Sequence, residues 1–388
     1  MTFNILTSEQ RESLKSAVYD LSIGYPSFAL FRDIEAHLAL WSGQSLLGGE
    51  RLGRVGGESD ELQLLLLAVT QLLRAPGIIS SRMEITFSGS IAIQRAVVAM
   101  QQLSTQRHKR PIFVLIEPSI DIYRSMLHEH GIDYVVIDRL SFGSDFNLPD
   151  AVSLAFKEAV GSHSDLLPVV LFDSPSNPLG EVVDSATLRR LGEVIAGKGG
   201  CLIVDHCFAL AGIHDSMQTD LIFHESDFPC EWLAIWDTGK TFNLNGDKFG
   251  LLAASNEELF RAVRHSLETI QVSPSPRNVS FFSYFLSHPL ANELIDRLHR
   301  ETVANLEFLD ERHVEFVALR PVGGTFASLL LSSDAHSADF RRRSLGNGVA
   351  VASGVSFQSR NPDAPPFIRI SLARPREVFA EAMSRLEF

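Results

Sequence analysis

The stretch Trp232-Leu-Ala-Ile-Trp236-Asp237-Thr238-Gly239-Lys240-Thr-Phe-Asn-Leu-Asn-Gly246-Asp-Lys248-Phe-Gly250-Leu-Leu-Ala-Ala-Ser255 decides how the rest of the chain is read. A short apolar run reads as a buried strand and breaks at Thr-Gly-Lys. After a Gly-containing loop a second apolar run follows, Leu251 to Ala254. Lys240 is thereby put at a strand end, among apolar residues and with a second cation nearby at Lys248. Burial and like charge both disfavour an ammonium. An uncharged amine in such a place can attack a carbonyl and hold it as a Schiff base. Taken alone, a Gly-Lys pair also reads as a solvated loop.

Working outward, the C-terminal ends of two earlier apolar runs carry matching chemistry. Leu167-Pro-Val-Val-Leu-Phe172 ends in Asp173-Ser-Pro-Ser-Asn177-Pro178-Leu-Gly180, and Cys201-Leu-Ile-Val204 ends in Asp205-His206. In open α/β sheets ligands bind beyond the carboxyl ends of the strands, so Asn177, Asp205 and Lys240 can converge on one pocket. Singly, Asn177-Pro178 is also a turn and Asp205 also a helix cap. An amide, a carboxylate and an amine in series at strand ends are more than a core requires.

Further upstream, Ile85-Thr-Phe87 leads through Ser88-Gly89-Ser90 into the helical periodicity of Ile91 to Leu103. Strand, small polar turn and helix in that order expose amides suited to an anion such as phosphate; a plain Ser N-cap accounts for the pattern too. Phe113 to Ile116 and Tyr134 to Ile137 read as strands, with Pro118 to His130 a connecting helix. Short apolar runs alternating with helices predict an α/β fold with a mostly parallel sheet covered on both faces. Asn256-Glu-Glu predicts a helix start that leads out of the sheet. The C-terminal part returns to strands at Phe326 to Leu331, Val349 to Ala352 and Phe367 to Leu372. Arg369 interrupts the last of these, and its guanidinium calls for an anion: a substrate carboxylate or a structural ion pair.

Composition sets the bounds. The chain has 388 residues, 45% of them apolar, and the richest apolar run, Leu62 to Leu73, is too short to span a bilayer and reads as a buried helix. Ser8 to Tyr19 has helical character, and Gly24-Tyr25-Pro26 marks a turn. The N-terminus lacks a basic segment followed by an apolar core, so a cytoplasmic protein is expected. Three cysteines, Cys201, Cys207 and Cys230, have neither metal-ligand spacing nor a disulfide framework, and no metal is expected. A formal net charge of −13 argues against nucleic acid or an anionic membrane as partner.

With Ser-Pro-Ser-Asn177-Pro-Leu-Gly, the following Asp205, the Lys240 loop and Phe-Ile-Arg369-Ile-Ser in this order, the chain resembles the pyridoxal-phosphate (PLP) dependent class I/II aminotransferase superfamily, fold type I. The resemblance runs from Gly24-Tyr25-Pro26 to the C-terminal strands. It implies a large domain over 49–265 around a seven-stranded, mostly parallel sheet. A smaller α+β domain is then built from both termini, 1–48 and 266–388. It also implies a homodimer acting on an amino acid and a 2-oxo acid. Carried across by position, Lys240 forms the aldimine with PLP and moves the Cα proton, and Asp205 keeps the pyridine nitrogen protonated. Asn177 donates to the ring oxygen. Ser88, Gly89 and Ser90, with Thr238 and Lys248, hold the phosphate. Arg369 binds the substrate α-carboxylate, with Gly24, Asn177 and Asp237 around the substrate.

Four positions depart from the family pattern. Phe208 stands where a tyrosine usually meets the ring oxygen, Ile120 where an aromatic ring stacks on the cofactor, and Leu52 where a tyrosine crosses a dimer interface to the phosphate. Lys248 replaces an arginine. Asp237-Thr-Gly-Lys240 in place of Ser-x-Ser-Lys, with Phe208 and Lys248, is similar to a subgroup that includes PLP-dependent arginine oxidases and hydroxylases of natural-product pathways. That subgroup has Asp-Gly-His where this chain has Ile23-Gly24-Tyr25. Asp237 then either faces a cationic substrate side chain or anchors the lysine loop. The expected activity is amino transfer; the alternative is oxidation or hydroxylation of an amino acid such as arginine by dioxygen.

Overall fold

Strands that are apolar at every position can be buried on both faces only if helices cover both, and this sheet is built that way. The computed structural model describes residues 17–31, 60–74, 82–161, 163–213, 222, 227–244, 247–271, 274–332, 337–358 and 364–386. The strands are β1 (Tyr19–Asp20), β2 (Met83–Thr86), β3 (Arg110–Glu117), β4 (Asp133–Asp138), β5 (Leu166–Asp173) and β6 (Cys201–Asp205). They continue with β7 (Glu231–Asp237), β8 (Gly250–Ala254), β9 (Phe326–Leu330), β10 (Val349–Ala350), β11 (Ala352–Ser353) and β12 (Phe367–Ser371). A seven-stranded sheet has the order β2-β8-β7-β6-β5-β3-β4. Only β8 in it runs antiparallel to its neighbours, because the short loop after Lys240 returns the chain directly.

Alternate residues of each strand enter different cores. Val170 and Phe172 of β5, Val204 of β6 and Trp236 of β7 pack with the helices Asp60–Leu72, Leu148–Ala159, Ser185–Ala196 and Pro276–Ser287. Val169, Leu171, Ile203 and Ile235 face the helices Gly89–Gln106, Ile122–Glu129 and Glu257–Glu268. The Glu257–Glu268 helix, expected to leave the sheet, instead packs back on it: Leu259, Val263 and Leu267 share a core with Ile93, Ala96 and Met100. Its strongly amphipathic pattern needs an apolar floor, and the helix beside it supplies one.

A third core joins the chain's N-terminal part to its C-terminal part. Leu21 lies with Leu306, Leu309, Leu329, Val349, Ile368, Ile370 and Phe379. β1 pairs in parallel with β10, and β11, β12 and β9 form an antiparallel sheet. The run expected as one strand from Val349 to Ala352 is split between these two sheets. Of the Leu-rich helix, Leu65, Leu66 and Val69 are buried, but Leu64 and Leu67 are 55% and 51% exposed, so one flank faces outward. No helix among the described residues is long and apolar enough to cross a membrane. The helix expected over Ser8 to Tyr19 falls mostly, and Leu52 wholly, outside the described residues.

Candidate active site

Because β8 is reversed, its beginning lies at the same sheet edge as the ends of β2, β5, β6 and β7. Thr86 and Asp237 are both paired with Gly250, and Asp173 with Asp205. The turn Ser88-Gly89-Ser90, three strand-terminal aspartates (Asp173, Asp205, Asp237), Lys240 and Lys248 are therefore gathered at that edge.

The lysine loop is fixed from both sides. Asp237 Oδ1 accepts from the Gly239 amide at 2.6 Å, capping the five-residue helix Thr238–Phe242, which ends at Asn243 in the left-handed region (φ 54°). Phe242 meets Phe285 edge-on at 5.0 Å, and Phe249 bridges Trp236 and Phe282 at 6.1 and 4.8 Å, a ring cluster that carries the loop. The Thr238 hydroxyl donates to the Phe249 carbonyl at 3.1 Å and accepts from the Phe249 amide at 3.0 Å. Both capacities are spent on the backbone, so Thr238, expected at the phosphate, pins the two chain segments together.

Asp237 Oδ2 accepts from the Gly89 amide at 2.6 Å. With both oxygens on backbone amides and the side chain 2% exposed, Asp237 anchors the lysine loop to the Gly89–Gln106 helix. A Cβ at Gly89 would lie 2.7 Å from Cys207 Sγ, so only glycine permits this approach. Ser88 Oγ accepts from the Ile91 amide at 3.3 Å, which leaves the Ser90 amide without a partner among the described residues. Ser90 itself is exposed.

Asp205 is buried and doubly bonded. Oδ1 accepts from the Cys207 amide at 2.9 Å and Oδ2 from the Tyr123 hydroxyl at 2.8 Å. Burial pushes the Asp205 carboxyl above its ordinary range and Asp173 well above it. Burial, with the charges of Asp205 and Asp173, pushes the Tyr123 phenol well up, so that it stays a donor. A carboxylate held this way is costly until a cation faces it. His206, next in sequence, is turned inward, with Nδ1 on the Ser174 carbonyl at 2.7 Å and Nε2 accepting from the Ile222 amide at 3.3 Å.

Arg369 enters from β12. It donates to Asn177 Oδ1 at 2.7 Å and to the Ser22 carbonyl, and its guanidinium carbon is 5.1 Å from the centre of the Phe326 ring and 4.9 Å from that of Phe357. The bond from Arg369 fixes the flip of the Asn177 amide, so the NH2 group is directed away from the arginine. Burial, and secondarily Arg374, lowers the guanidinium to about 10. Its Nε is buried with no hydrogen-bond partner among the described residues. Gly24 lies against this group: a Cβ there would be 3.3 Å from Phe326, 3.5 Å from Phe208 and 3.7 Å from Arg369 Nη1. Phe208 packs edge-on to Phe326 at 4.5 Å, and Ile120 is half-buried against the core on that face of the sheet.

Three contributors were not assigned a role from the sequence. Tyr123 is an aromatic on an apolar helix face, indistinguishable in pattern from a core residue. Arg374 donates to the carbonyls of Asp20, Ile23, Tyr25 and Ala373, tying down the segment that holds Gly24. Tyr25 lies over the lysines, with Lys240 Nζ 3.6 Å from its ring centroid and Lys248 Nζ donating to its hydroxyl at 3.1 Å. Lys248 would be lowered by burial, but Asp237 and the Tyr25 hydroxyl together hold its ammonium above the ordinary value. The only signal for Tyr25 in the sequence was its place beside Gly24.

The residues suit an anionic, polar ring compound. Arg369 Nε and Ser119 Oγ are buried polar atoms left without partners among the described residues, the Ser90 amide is unpartnered, and Lys248 brings positive charge. Pyridoxal phosphate needs a group for its phosphate, one for its ring nitrogen and an amine for its aldehyde. Lys248 with Ser90, Asp205, and Lys240 are of those kinds.

Comparison with known proteins agrees. Residues 151–386 match the family "Aminotransferase class I and II". Two curated relatives match over part of their length. Aspartate aminotransferase of Thermococcus kodakarensis is 23% identical over 53% of this chain and 52% of its own, and O-succinylhomoserine sulfhydrylase of Pseudomonas aeruginosa 28% over 39% and 37%. This chain thus spans about half, or less, of the curated relatives it matches. Among solved structures, a double mutant of Thermus thermophilus aspartate aminotransferase has a TM-score of 0.76 at 18% identity, covering 99% of this chain and 96% of that one. YbdL from Escherichia coli, a structure that identified a methionine aminotransferase function, has 0.76 at 17%, covering 99% and 97%. MppP soaked with the product 2-ketoarginine has 0.73 at 20%, covering 95% and 98%. The fold is that of the fold type I aminotransferases, and the chain belongs to the class I and II aminotransferase family, whose members use pyridoxal phosphate.

Proposed function

We propose that this protein exchanges an α-amino group between an amino acid and a 2-oxo acid. The observation that carries the reading is Arg369, a buried guanidinium with an unpartnered Nε and a bond to Asn177. A substrate α-carboxylate supplies the missing anion. When bound, the cofactor supplies the sink for the electron pair left on the substrate Cα as its proton departs. The chain's own groups do the rest. Arg369 orients the α-carboxylate, and Lys240 Nζ takes the Cα proton and returns it. Asp205, held by Tyr123 and Cys207, would hold the proton on the ring nitrogen, and the Asn177 amide would donate to the ring oxygen. Lys248 and the Ser90 amide would hold the phosphate. Mixing the holoenzyme with a panel of amino donors, with the cofactor's absorbance followed under nitrogen, tests this. Failure of every donor to give the pyridoxamine form counts decisively against amino transfer.

A second reading, oxidation or hydroxylation of an amino acid by dioxygen, is supported by the Asp237-Thr-Gly-Lys240 loop and by Phe208, which offers no hydroxyl. Arginine as its substrate is disfavoured, because both Asp237 oxygens accept from backbone amides. Oxygen uptake with an amino acid as sole substrate separates the two readings.

The homodimer is proposed on the outward flank of Leu64, Leu67 and Tyr284, which line one shallow groove and are each about half exposed. A mass by light scattering that stays monomeric at all concentrations removes it.

A further inference from the structure

Tyr25 touches both cations of the site. Lys240 Nζ lies 3.6 Å from the centre of its ring and 5.4 Å from that of Phe208. No hydrogen bond to Lys240 Nζ is present among the described residues, so the ring face is the group that receives it. Lys248 Nζ donates to the Tyr25 hydroxyl at 3.1 Å and lies 5.3 Å from the same ring. The tyrosine is itself held: Arg374 Nη1 donates to its carbonyl at 2.8 Å, and the Ser27 amide donates to the Ala373 carbonyl at 2.8 Å. A half-buried side chain with a fixed backbone and two cations on it does not behave as loop surface.

We propose that Tyr25 is a positioning residue for both lysines: its ring seats the Lys240 ammonium while that amine is unbonded, and its hydroxyl holds Lys248 ready for phosphate. To join an aldehyde, Lys240 has to leave this seat. Its nitrogen bonds the aldehyde carbon and keeps one proton, and the other two depart with the aldehyde oxygen as water. The ring therefore opposes capture of the aldehyde and favours the unbonded lysine in its protonated form, which must give up a proton before it can take one from the substrate Cα. The inference rests on Lys240 being the amine that meets the aldehyde.

The test compares two ligands on cofactor-free protein: pyridoxal 5′-phosphate, which condenses, and pyridoxine 5′-phosphate, which carries an alcohol and cannot. The ratio of their affinities reports on the seat alone. Tyr25→Leu removes the ring and is expected to raise the ratio by about three- to tenfold, the strength of one cation–π contact. Tyr25→Phe keeps the ring, so its ratio stays within about twofold of the original while both ligands bind several-fold more weakly, because Lys248 loses its tie. Tyr25→Trp, with a stronger ring, does not raise the ratio. An unchanged ratio in Tyr25→Leu, or an equal rise in Tyr25→Phe or Tyr25→Trp, overturns the proposal. Borohydride trapping with mass mapping separates this from the underlying reading. A label away from Lys240 sinks the assignment of the lysine, whereas a label at Lys240 with an unmoved ratio sinks only Tyr25.

Discussion

Asp237 and Gly89, 148 residues apart in sequence, are joined by a 2.6 Å bond from the Gly89 amide to the Asp237 carboxylate. An internal anion thus lies at the N-terminal end of a long helix, where phosphate would otherwise profit from free amides and the helix dipole. A phosphate brought here meets a like charge. Asp237→Ser removes that charge, and the cofactor-free variant is expected to bind inorganic phosphate about tenfold more tightly by calorimetry. Serine still caps Gly239 as well as aspartate does, so the cost in thermal unfolding is that of the lost bond to the Gly89 amide, about 1 kcal/mol. Weaker phosphate binding in Asp237→Ser contradicts the competition.

Tyr123 lies beneath Asp205 and satisfies one of its two oxygens. Tyr123→Phe leaves that oxygen buried and unpaired, at a cost of about 1–3 kcal/mol. Stability measured by denaturant should fall by that amount, with the m-value unchanged. Affinity for pyridoxal phosphate should fall about tenfold, since Asp205 loses a contact that orients it. Equal affinity in the two proteins would show that Cys207 alone suffices.

The raised carboxyl of Asp173 makes stability depend on pH. Burial is the main cause of the rise, against an ordinary value of 3.8. A group whose value is higher folded than unfolded stabilises the fold fully below its unfolded value and loses that contribution as pH climbs through the folded one. Asp173→Asn imitates the protonated form and can still accept from the Asn177 amide, now bonded at 2.7 Å. The cofactor-free variant should therefore melt higher than the parent protein at pH 8, with the difference shrinking towards pH 4. A difference that grows on acidification means that Asp173 is ionised at a profit.

The sheet was legible because strands apolar at every position announce burial on both faces, and Asn177, Asp205 and Lys240 stood out as candidates because each followed such a strand. What the sequence left unread were contacts made by shape. Thr238 looked like a phosphate contact, but its hydroxyl serves the Phe249 backbone, a commitment set by how closely the returning chain approaches. Tyr123 gave no sign, since its ring satisfies the apolar pattern and only the folded packing aims its hydroxyl at Asp205. The Glu257–Glu268 helix was expected to lead away because its acidic start marks an end of a strand without saying where the apolar stripe will land.

Arg374 makes the last of these contacts and the most testable. It donates to the carbonyls of Asp20, Ile23, Tyr25 and Ala373, and burial lowers its guanidinium to about 10. It thus holds the backbone that supplies the Ser22 carbonyl to Arg369 and the Tyr25 ring to Lys240. Arg374→Gln reaches one of these carbonyls at most, leaving others without a donor at about 1–3 kcal/mol each. Hydrogen exchange should show the Leu21 and Ser27 amides, bonded to Ala350 and Ala373, losing protection by tenfold or more, while β6 amides exchange as before. Substrate affinity should fall with them, because Arg369 loses a fixed neighbour. Slow exchange at Leu21 and Ser27 in the variant would mean that the pairing of β1 with β10 holds the segment without help from the arginine.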